Sequence, residues 1–473
     1  MFDSIQKKLT KAIDEINEKK YLKDLSKEDE KVCKISYNVV WVSDHVYNCA
    51  LASSISHGKK LTPYYKDQAD YVSRIMGYGH DSICAHSNIV FLVEFVTSAN
   101  YSYPDLLSNL QALKYFEIEE IKTPYERRIV TELKPLEELK YISVSKRYFL
   151  MGASIRALRY YYTHIYKDAL NTELFKVIHS IINLYSEKLF YKDIQALQFG
   201  PSYYPEFIQN TSDITKIEND EDDVNVPENR MIAKHSKVLY TTGKHDAVVE
   251  FVNYPSMYKV YNTIVNGMKI SEESNDFEIV RGFIISAMFK TLTITFKLSH
   301  YSRAISQQIN RHESAITQSS QRFINEENAE FIDPMKFVDK QDKQYIITMN
   351  GNTKPYTSEE LGKELSSVYS QLIKYGMLKQ EARSFLPINT ATKAYHTFTI
   401  ENLIHFINVR EDKASQPEVQ EIARSMDVLL RKVLTFDTDR NIFIDAFEER
   451  LKVDDKQWLE TQEIYTKESM IPQ

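Results

Sequence analysis

The chain of 473 residues is 43% hydrophobic and carries a formal charge of −7, with a pI near 6.0. That length and apolar share supply two or three domains with sizeable cores and exclude a disordered chain. The acidic balance excludes a general nucleic-acid or anionic-membrane partner and confines any phosphate site to a focal cationic pocket.

Three cysteines, Cys33, Cys49 and Cys84, show no metal-ligand spacing and are too few for a disulfide framework, so a reduced, cytoplasmic setting without a metal is expected. The segment Met1 to Lys8 has no apolar signal core and no run of about 20 apolar residues occurs, so no membrane segment is expected. Thirty-two tyrosines and eleven glycines describe a helix-rich body with few tight turns.

In chain order, Ile5, Leu9, Ile13 and Ile16 share one face of a first helix. A Gly79-His80-Asp81-Ser82-Ile83-Cys84-Ala85-His86 turn precedes the apolar run 89–96, read as a strand, and a helix through Leu106, Leu107, Leu110 and Leu113 follows. Residues 218–229 include an acidic, Pro227-terminated stretch that reads as a linker. Beyond it, Leu292, Ile294, Phe296 and Leu298 alternate with polar residues, which predicts a half-buried strand over 291–298 and then a helix over 301–312. On that helix Arg303, Gln307 and Arg311 fall on one face, with Gln308 one turn before Arg311. Ser358 is expected to cap a further helix that turns Leu361, Leu365, Val368, Leu372 and Ile373 inward and ends at Gly376.

The chemistry concentrates between His300 and Phe323, where three arginines, two histidines and four glutamines stand beside a polar loop. Guanidinium forks bind phosphate or uracil-type oxygens bidentately, and glutamine offers a donor and an acceptor to a base edge, so this inventory suits a phosphorylated planar ligand. The plainer alternative is a solvated helix face whose arginines form surface ion pairs. For Arg410 the plainer role is to stabilise carbonyls at a helix C-terminus, and for His312 a packed or capping ring.

Gln308-Ile309-Asn310-Arg311-His312, Ser320-Gln321-Arg322-Phe323 and Glu330 to Pro334 resemble the signature region of flavin-dependent thymidylate synthases. A second block agrees, from Tyr375-Gly376 through Glu381-Ala382-Arg383-Ser384-Phe385-Leu386-Pro387 to His405 to Arg410, Gln416 and Glu418. Glu313 stands where that family has its second arginine, and the gap to Ser320 is one residue short; in the 79–86 turn Asp81 replaces Glu and Ile83 replaces Pro.

The resemblance implies conversion of dUMP to dTMP with methylenetetrahydrofolate as carbon donor and NADPH, through FAD, as hydride donor. Arg410 and Arg311 are the implied catalytic residues; Gln308, Arg311, Ser320, Arg322, Arg383 and Arg410 would bind dUMP, and His80, Ser82, Ser154, Arg156, His312 and Gln318 would bind FAD. Ser154-Ile155-Arg156-Ala157-Leu158 also matches Thr399-Ile400-Glu401-Asn402-Leu403, which suggests a duplicated gene. The expected fold is α+β, helix-rich, with a central antiparallel sheet in each of two halves, 1–217 and 230–473, joined by a linker at 218–229. The site is expected at the seam between the halves, with flavin contacts surviving in the first and nucleotide contacts in the second, and two such chains are expected to form a homodimer. Two other readings stay open: an altered or inactive nucleotide-binding relative, and a helical scaffold protein.

Overall fold

The computed structural model describes residues 33–43, 45–61, 65–78, 80–98, 115–123, 129–130, 143–160, 237–242, 247–333, 345–349, 351–435, 442–451 and 465–468. The helix expected at Ile5–Ile16, the helix through Leu106–Leu113 and the linker at 218–229 lie outside them.

In chain order the elements are β1 (Cys33–Val42), α1 (His45–His57), α2 (Tyr65–Gly77), β2 (Asn88–Ser98), β3 (Phe116–Ile121), β4 (Ile129–Val130), β5 (Ser143–Ser154), α3 (Ile155–Tyr160), β6 (Lys237–Thr242), β7 (Val248–Asn253), α4 (Met257–Met268) and α5 (Phe277–Thr291). There follow β8 (Thr293–Ser302), α6 (Arg303–Ile309), β9 (Ala315–Gln318), β10 (Tyr345–Met349), β11 (Asn352–Tyr356), α7 (Ser358–Lys374), α8 (Lys379–Ala382), β12 (Ala391–Thr399), α9 (Ile400–Arg410), α10 (Pro417–Leu434), α11 (Ile442–Glu448) and β13 (Tyr465–Glu468). These elements make an α+β protein with antiparallel sheets. They fall into two compact units interleaved in sequence: one takes the described residues of 1–43, 88–215 and 258–292, the other those of 44–87, 216–257 and 293–473.

The first unit is built on an antiparallel sheet ordered β1-β2-β5-β3, with β4 also paired to β5. The run Ile89 to Val93 is buried without interruption, as a strand covered on both faces requires. Helix α5 packs on β3 and β5, and Lys290 near its end reaches Glu119 of β3 at 2.8 Å. The approach is close enough that a Cβ on Gly152 would stand 2.7 Å from the Thr291 carbonyl oxygen. Gly152→Ala is therefore expected to destabilise this unit by about 1–3 kcal/mol through overpacking, read as a lowered urea midpoint.

The second unit carries a six-stranded antiparallel sheet ordered β13-β6-β7-β8-β12-β9. Its core includes Ile294, Phe296 and Leu298 of β8, Phe398 of β12 and the buried face of α10. Helix α1 and the 3-10 turn Asp81–His86 pack on β9 and β12, while α10 packs on β6, β7, α6 and α9.

One order of elements recurs. Strand, helix, helix, strand, then two further strands and a helix run β1-α1-α2-β2-β3-β5-α3, with the short β4 inserted before β5, and again β7-α4-α5-β8-β9-β12-α9, where the hairpin β10–β11 and helices α6 to α8 are inserted. The corresponding strands lie in the same order, β1-β2-β5-β3 and β7-β8-β12-β9. Even the irregularity matches: pairing of Val39 with Phe91 and Trp41 with Val90 skips a residue, as does pairing of Phe251 with Phe296 and Asn253 with Thr295. Ser154 and Thr399 close the series by accepting the backbone N–H of Ala157 and Asn402 at equivalent helix starts. Each sheet nevertheless carries the helix pair from the other repeat, since α1 and α2 belong to the second unit and residues 258–291 to the first.

Two helices differ from expectation. The strand expected at 291–298 runs 293–302, and the helix expected at 301–312 is only Arg303–Ile309. Ser302 ends the strand by accepting the Ile305 N–H, and after Asn310 the chain must turn to place β9 against β12. Helix α7 is capped one residue earlier than expected, by Thr357 in a capping box with Glu360. Its Leu365 and Val368 are exposed; the inward positions are Gly362, Ser366 and Tyr369, because the Phe331 ring lies where a Cβ on Gly362 would be.

Candidate functional site

The site is organised around the short helix α6. At its start Ser302 donates from its backbone nitrogen and its hydroxyl to the two oxygens of Glu418, at 2.6 and 2.8 Å. Glu418 sits buried in the first turn of α10, and burial pushes its carboxyl up against the lowering effect of those two bonds. This clamp sets where α6 begins. Gln308 Nε2 donates to Gln416, the residue preceding α10, at 2.9 Å.

At the other end of α6, Arg410 at the close of α9 donates from Nε to His312 Nε2 at 2.8 Å and from Nη2 to the Gln308 carbonyl at 3.2 Å. His312 Nε2 is thus an acceptor, which fixes the neutral tautomer with its proton on Nδ1. Burial, then Arg410, then His405 lower the His312 pKa to about 4. Arg410 is itself held below its usual value by burial and by Arg311. Arg311 is exposed in the turn after the helix. Arg303, on the face expected to be shared with Arg311, serves the opposite end of α6.

There, Arg303 Nη2 donates to the Ser319 carbonyl at 3.0 Å and lies 3.6 Å from Glu326, with Arg383 close enough to lower its pKa. The following loop is tied to α1 and its end, because Ser320 N donates to the Ser56 carbonyl and Phe323 stacks on His57 at 4.8 Å between ring centroids. The Arg322 guanidinium lies over the Phe323 ring, and the exposed His80 stands edge-on to His57 at 5.9 Å. Ser82 is exposed on the turn that follows His80.

Of the residues expected from the sequence, the second unit thus holds Gln308, Arg311, His312, Gln318, Ser320, Arg322, Arg383 and Arg410, together with His80 and Ser82. Gln318 donates to Thr392 Oγ1 at 3.1 Å. Ser154 and Arg156 belong to the first unit, where the Ser154 hydroxyl caps α3 and Arg156 is exposed. Among the described residues, Arg311, Arg322, Arg383 and Arg410 form no ion pair with a carboxylate, whereas Arg303, Arg424, Arg431 and Arg450 each have one. Glu313 is exposed and, among the described residues, pairs with none of these arginines. None of these four lies on α6 itself: Arg311 follows it, Arg322 stands in the loop after β9, Arg383 follows α8 and Arg410 closes α9. Guanidinium groups without carboxylate partners are suited to binding an anion.

Sequence reasoning passed over His57 and Glu326, and it named Arg303, His86 and Glu418 only as members of a helix face, a turn and a motif block, without the contacts they make. His86 is wholly buried and bonds Thr397 through Nδ1 at 2.8 Å and Thr317 through Nε2 at 2.9 Å, tying the 81–86 turn to β12 and β9. Burial lowers its pKa to about 3, and burial with His86 lowers that of His396 to about 3. In the unfolded chain these rings take protons near pH 6.5. Stability is therefore full above that pH and falls as pH drops from about 6.5 toward 3, because the unfolded state binds the extra protons. Urea midpoints at pH 7.5 and 5 should show the loss; equal midpoints would contradict it.

What the geometry defines is an α+β unit bearing several arginines that, among the described residues, have no carboxylate partner. Residues 237–434 match the family model described as "Thymidylate synthase complementing protein". Similar proteins include the flavin-dependent thymidylate synthases of Pyrococcus furiosus, 30% identical over 33% of this chain and 63% of that protein, and of Synechocystis, 28% identical over 29% and 65%. The "Probable flavin-dependent thymidylate synthase" of Paramecium bursaria Chlorella virus 1 is 28% identical over 29% of this chain and 66% of that protein. The chain spans less than two thirds of the length of the first two of these relatives. Residues 237–434 thus resemble the flavin-dependent thymidylate synthases.

Proposed function

We propose that the chain is a flavin-dependent thymidylate synthase that converts dUMP to dTMP, with methylenetetrahydrofolate supplying the carbon and NADPH, through FAD, the hydride. The observation that carries this reading is the set of four arginines without carboxylate partners, on the elements that bear the family match. Arg311, Arg322 and Arg383 are suited to the phosphate and sugar end of dUMP, with Gln308 and Ser320 as hydrogen-bonding partners. Arg410 and Arg311 repel one another across a partly desolvated space, and a developing negative charge on a uracil ring relieves that repulsion more than neutral uracil does. His312, neutral and fixed in tautomer, keeps Arg410 oriented.

The residues present suit a flavin. His80 and Ser82 stand exposed on one short turn, with the His57 and Phe323 rings beside them and His312 and Gln318 in the same unit. Bound there, the flavin would supply hydride transfer chemistry that protein side chains lack. Glu313 adds no charge to the cationic set, so anion binding rests on the four arginines.

The recurring order of elements, the equivalent bulges and the equivalent helix caps support a fused duplication, with halves at 1–217 and 230–473 and a linker at 218–229. A homodimer of such chains, working in the cytoplasm, completes the proposal. Among the described residues no helix is long and apolar enough to cross a membrane.

The experiment is release of tritium from 5-labelled dUMP in the presence of FAD, NADPH and methylenetetrahydrofolate. No release by folded, flavin-loaded protein that still binds dUMP would leave an altered relative. Absence of both dUMP binding and flavin colour would leave a scaffold.

A further inference from the structure

The geometry points to Arg303 as a positioning residue that holds the loop bearing Ser320 and Arg322 in the form that receives the nucleotide phosphate. This inference rests on the nucleotide reading above and goes beyond it, because Arg303 belongs to neither residue set assigned to dUMP or FAD.

Four observations meet at this side chain. Arg303 is the first residue of α6, and the backbone N–H groups of Arg303 and Ala304 donate to the carbonyls of Thr390 and Ile388, so its own backbone is anchored on the segment that follows Arg383. Its guanidinium reaches across to the Ser319 carbonyl, one residue before Ser320. The same Nη2 also pairs with Glu326 at the far end of the same loop, 3.6 Å away, so one guanidinium end reaches both ends of 319–326. Glu326 is buried, with its carboxyl pushed up by burial and drawn back down by Arg303 and a bond from Gln321. Its backbone N–H is directed at the hydroxyl of the fully buried Tyr369.

Between those two ends the loop is held by short local bonds, with Phe323 and Ile324 N–H donating to the Ser320 carbonyl and Arg322 N–H to the Ser320 hydroxyl. Ser320 is half-buried and Arg322 is exposed. Without the Arg303 fork the buried Glu326 carboxyl loses its cation and the loop its central tie, although Ser319 N–H still reaches the Lys393 carbonyl. A lysine retains the charge but carries it on a flexible, strongly hydrated ammonium instead of a rigid guanidinium plane. Arg303 also faces Arg383 electrostatically, so it adds to the positive field at this end of α6.

The test uses the full chain with Arg303→Met, Arg303→Lys and Glu326→Gln. Titration with dUMP measures the dissociation constant, and hydrogen exchange measures the 319–326 amides. Arg303→Met is expected to raise the dUMP dissociation constant about tenfold and to speed exchange in 319–326, with flavin content unchanged. Arg303→Lys should recover part of the affinity. Glu326→Gln should move both readouts in the direction of Arg303→Met and serves if that variant does not fold. Unchanged affinity in Arg303→Met and Glu326→Gln, or unchanged exchange in 319–326, overturns the inference, as does a loss of flavin equal to the loss of dUMP. If the unaltered chain binds no dUMP, the nucleotide reading and the phosphate-receiving role fall together; unchanged exchange in Arg303→Met with dUMP binding intact removes the role alone.

Discussion

Arg410→Ala is expected to lower turnover about 10²–10³-fold while flavin absorbance is retained. The side chain sits at the close of α9, its Nε on His312 and its Nη2 on the Gln308 carbonyl, and burial and then Arg311 hold it below its usual pKa. Of the residues assigned to FAD its described contacts touch only His312, and His80, Ser82 and Gln318 keep theirs, so flavin loading should fall far less than turnover. Removing the guanidinium also frees His312 Nε2 and relieves one of the causes that lower its pKa, so that ring should titrate nearer its ordinary value. The measurement is turnover at saturating dUMP together with the flavin spectrum and the His312 titration by NMR. A variant that loses flavin and turnover equally would contradict the assignment.

Glu418→Ala is expected to cost about 2–4 kcal/mol in stability and to abolish tight dUMP binding. The carboxylate accepts two hydrogen bonds from one residue, the Ser302 N–H and hydroxyl, at a fully enclosed junction of strand and helix. Alanine leaves both donors buried without partners, and each such donor loses its solvation without recompense. The helix start then loses its fixed register, and with it the spacing between Arg303 at one end and Gln308 and His312 at the other. Glutamine restores one acceptor but turns an amide N–H₂ toward a donor, so Glu418→Gln should fall between the native chain and alanine. Urea denaturation and dUMP titration read both effects. A native-like midpoint for Glu418→Ala would show that water or a neighbour replaces the carboxylate and that the clamp does not set α6.

The two residues illustrate different degrees of legibility. Arg410 stands in a block whose spacing from Arg383 could be read directly, because both lie within a short stretch on consecutive local elements. Glu418 stands in the same block, yet its partner is 116 residues away in sequence, and no period or motif links them. His57 and Phe323 are further apart still and meet only because α1 folds onto β9 and β12. Helix α7 shows the reverse error: its leucines have helical spacing, but the partner it meets is the Phe331 ring, which admits Gly362 and leaves Leu365 and Val368 outside.

By itself the sequence determined the strands at 89–96 and near 291–298, the cap-and-glycine bounds of α7 to within a residue, and the arginine, histidine and glutamine inventory of the site. These follow from local periodicity, capping and side-chain chemistry, which act over a few residues. Only the tertiary structure decided that residues 44–87 join the C-terminal sheet, that α6 stops at Ile309, and that Arg303 braces a loop while Arg410 holds His312. Such outcomes depend on which distant surfaces become buried together, and burial energy is proportional to area removed from water, with no dependence on separation along the chain.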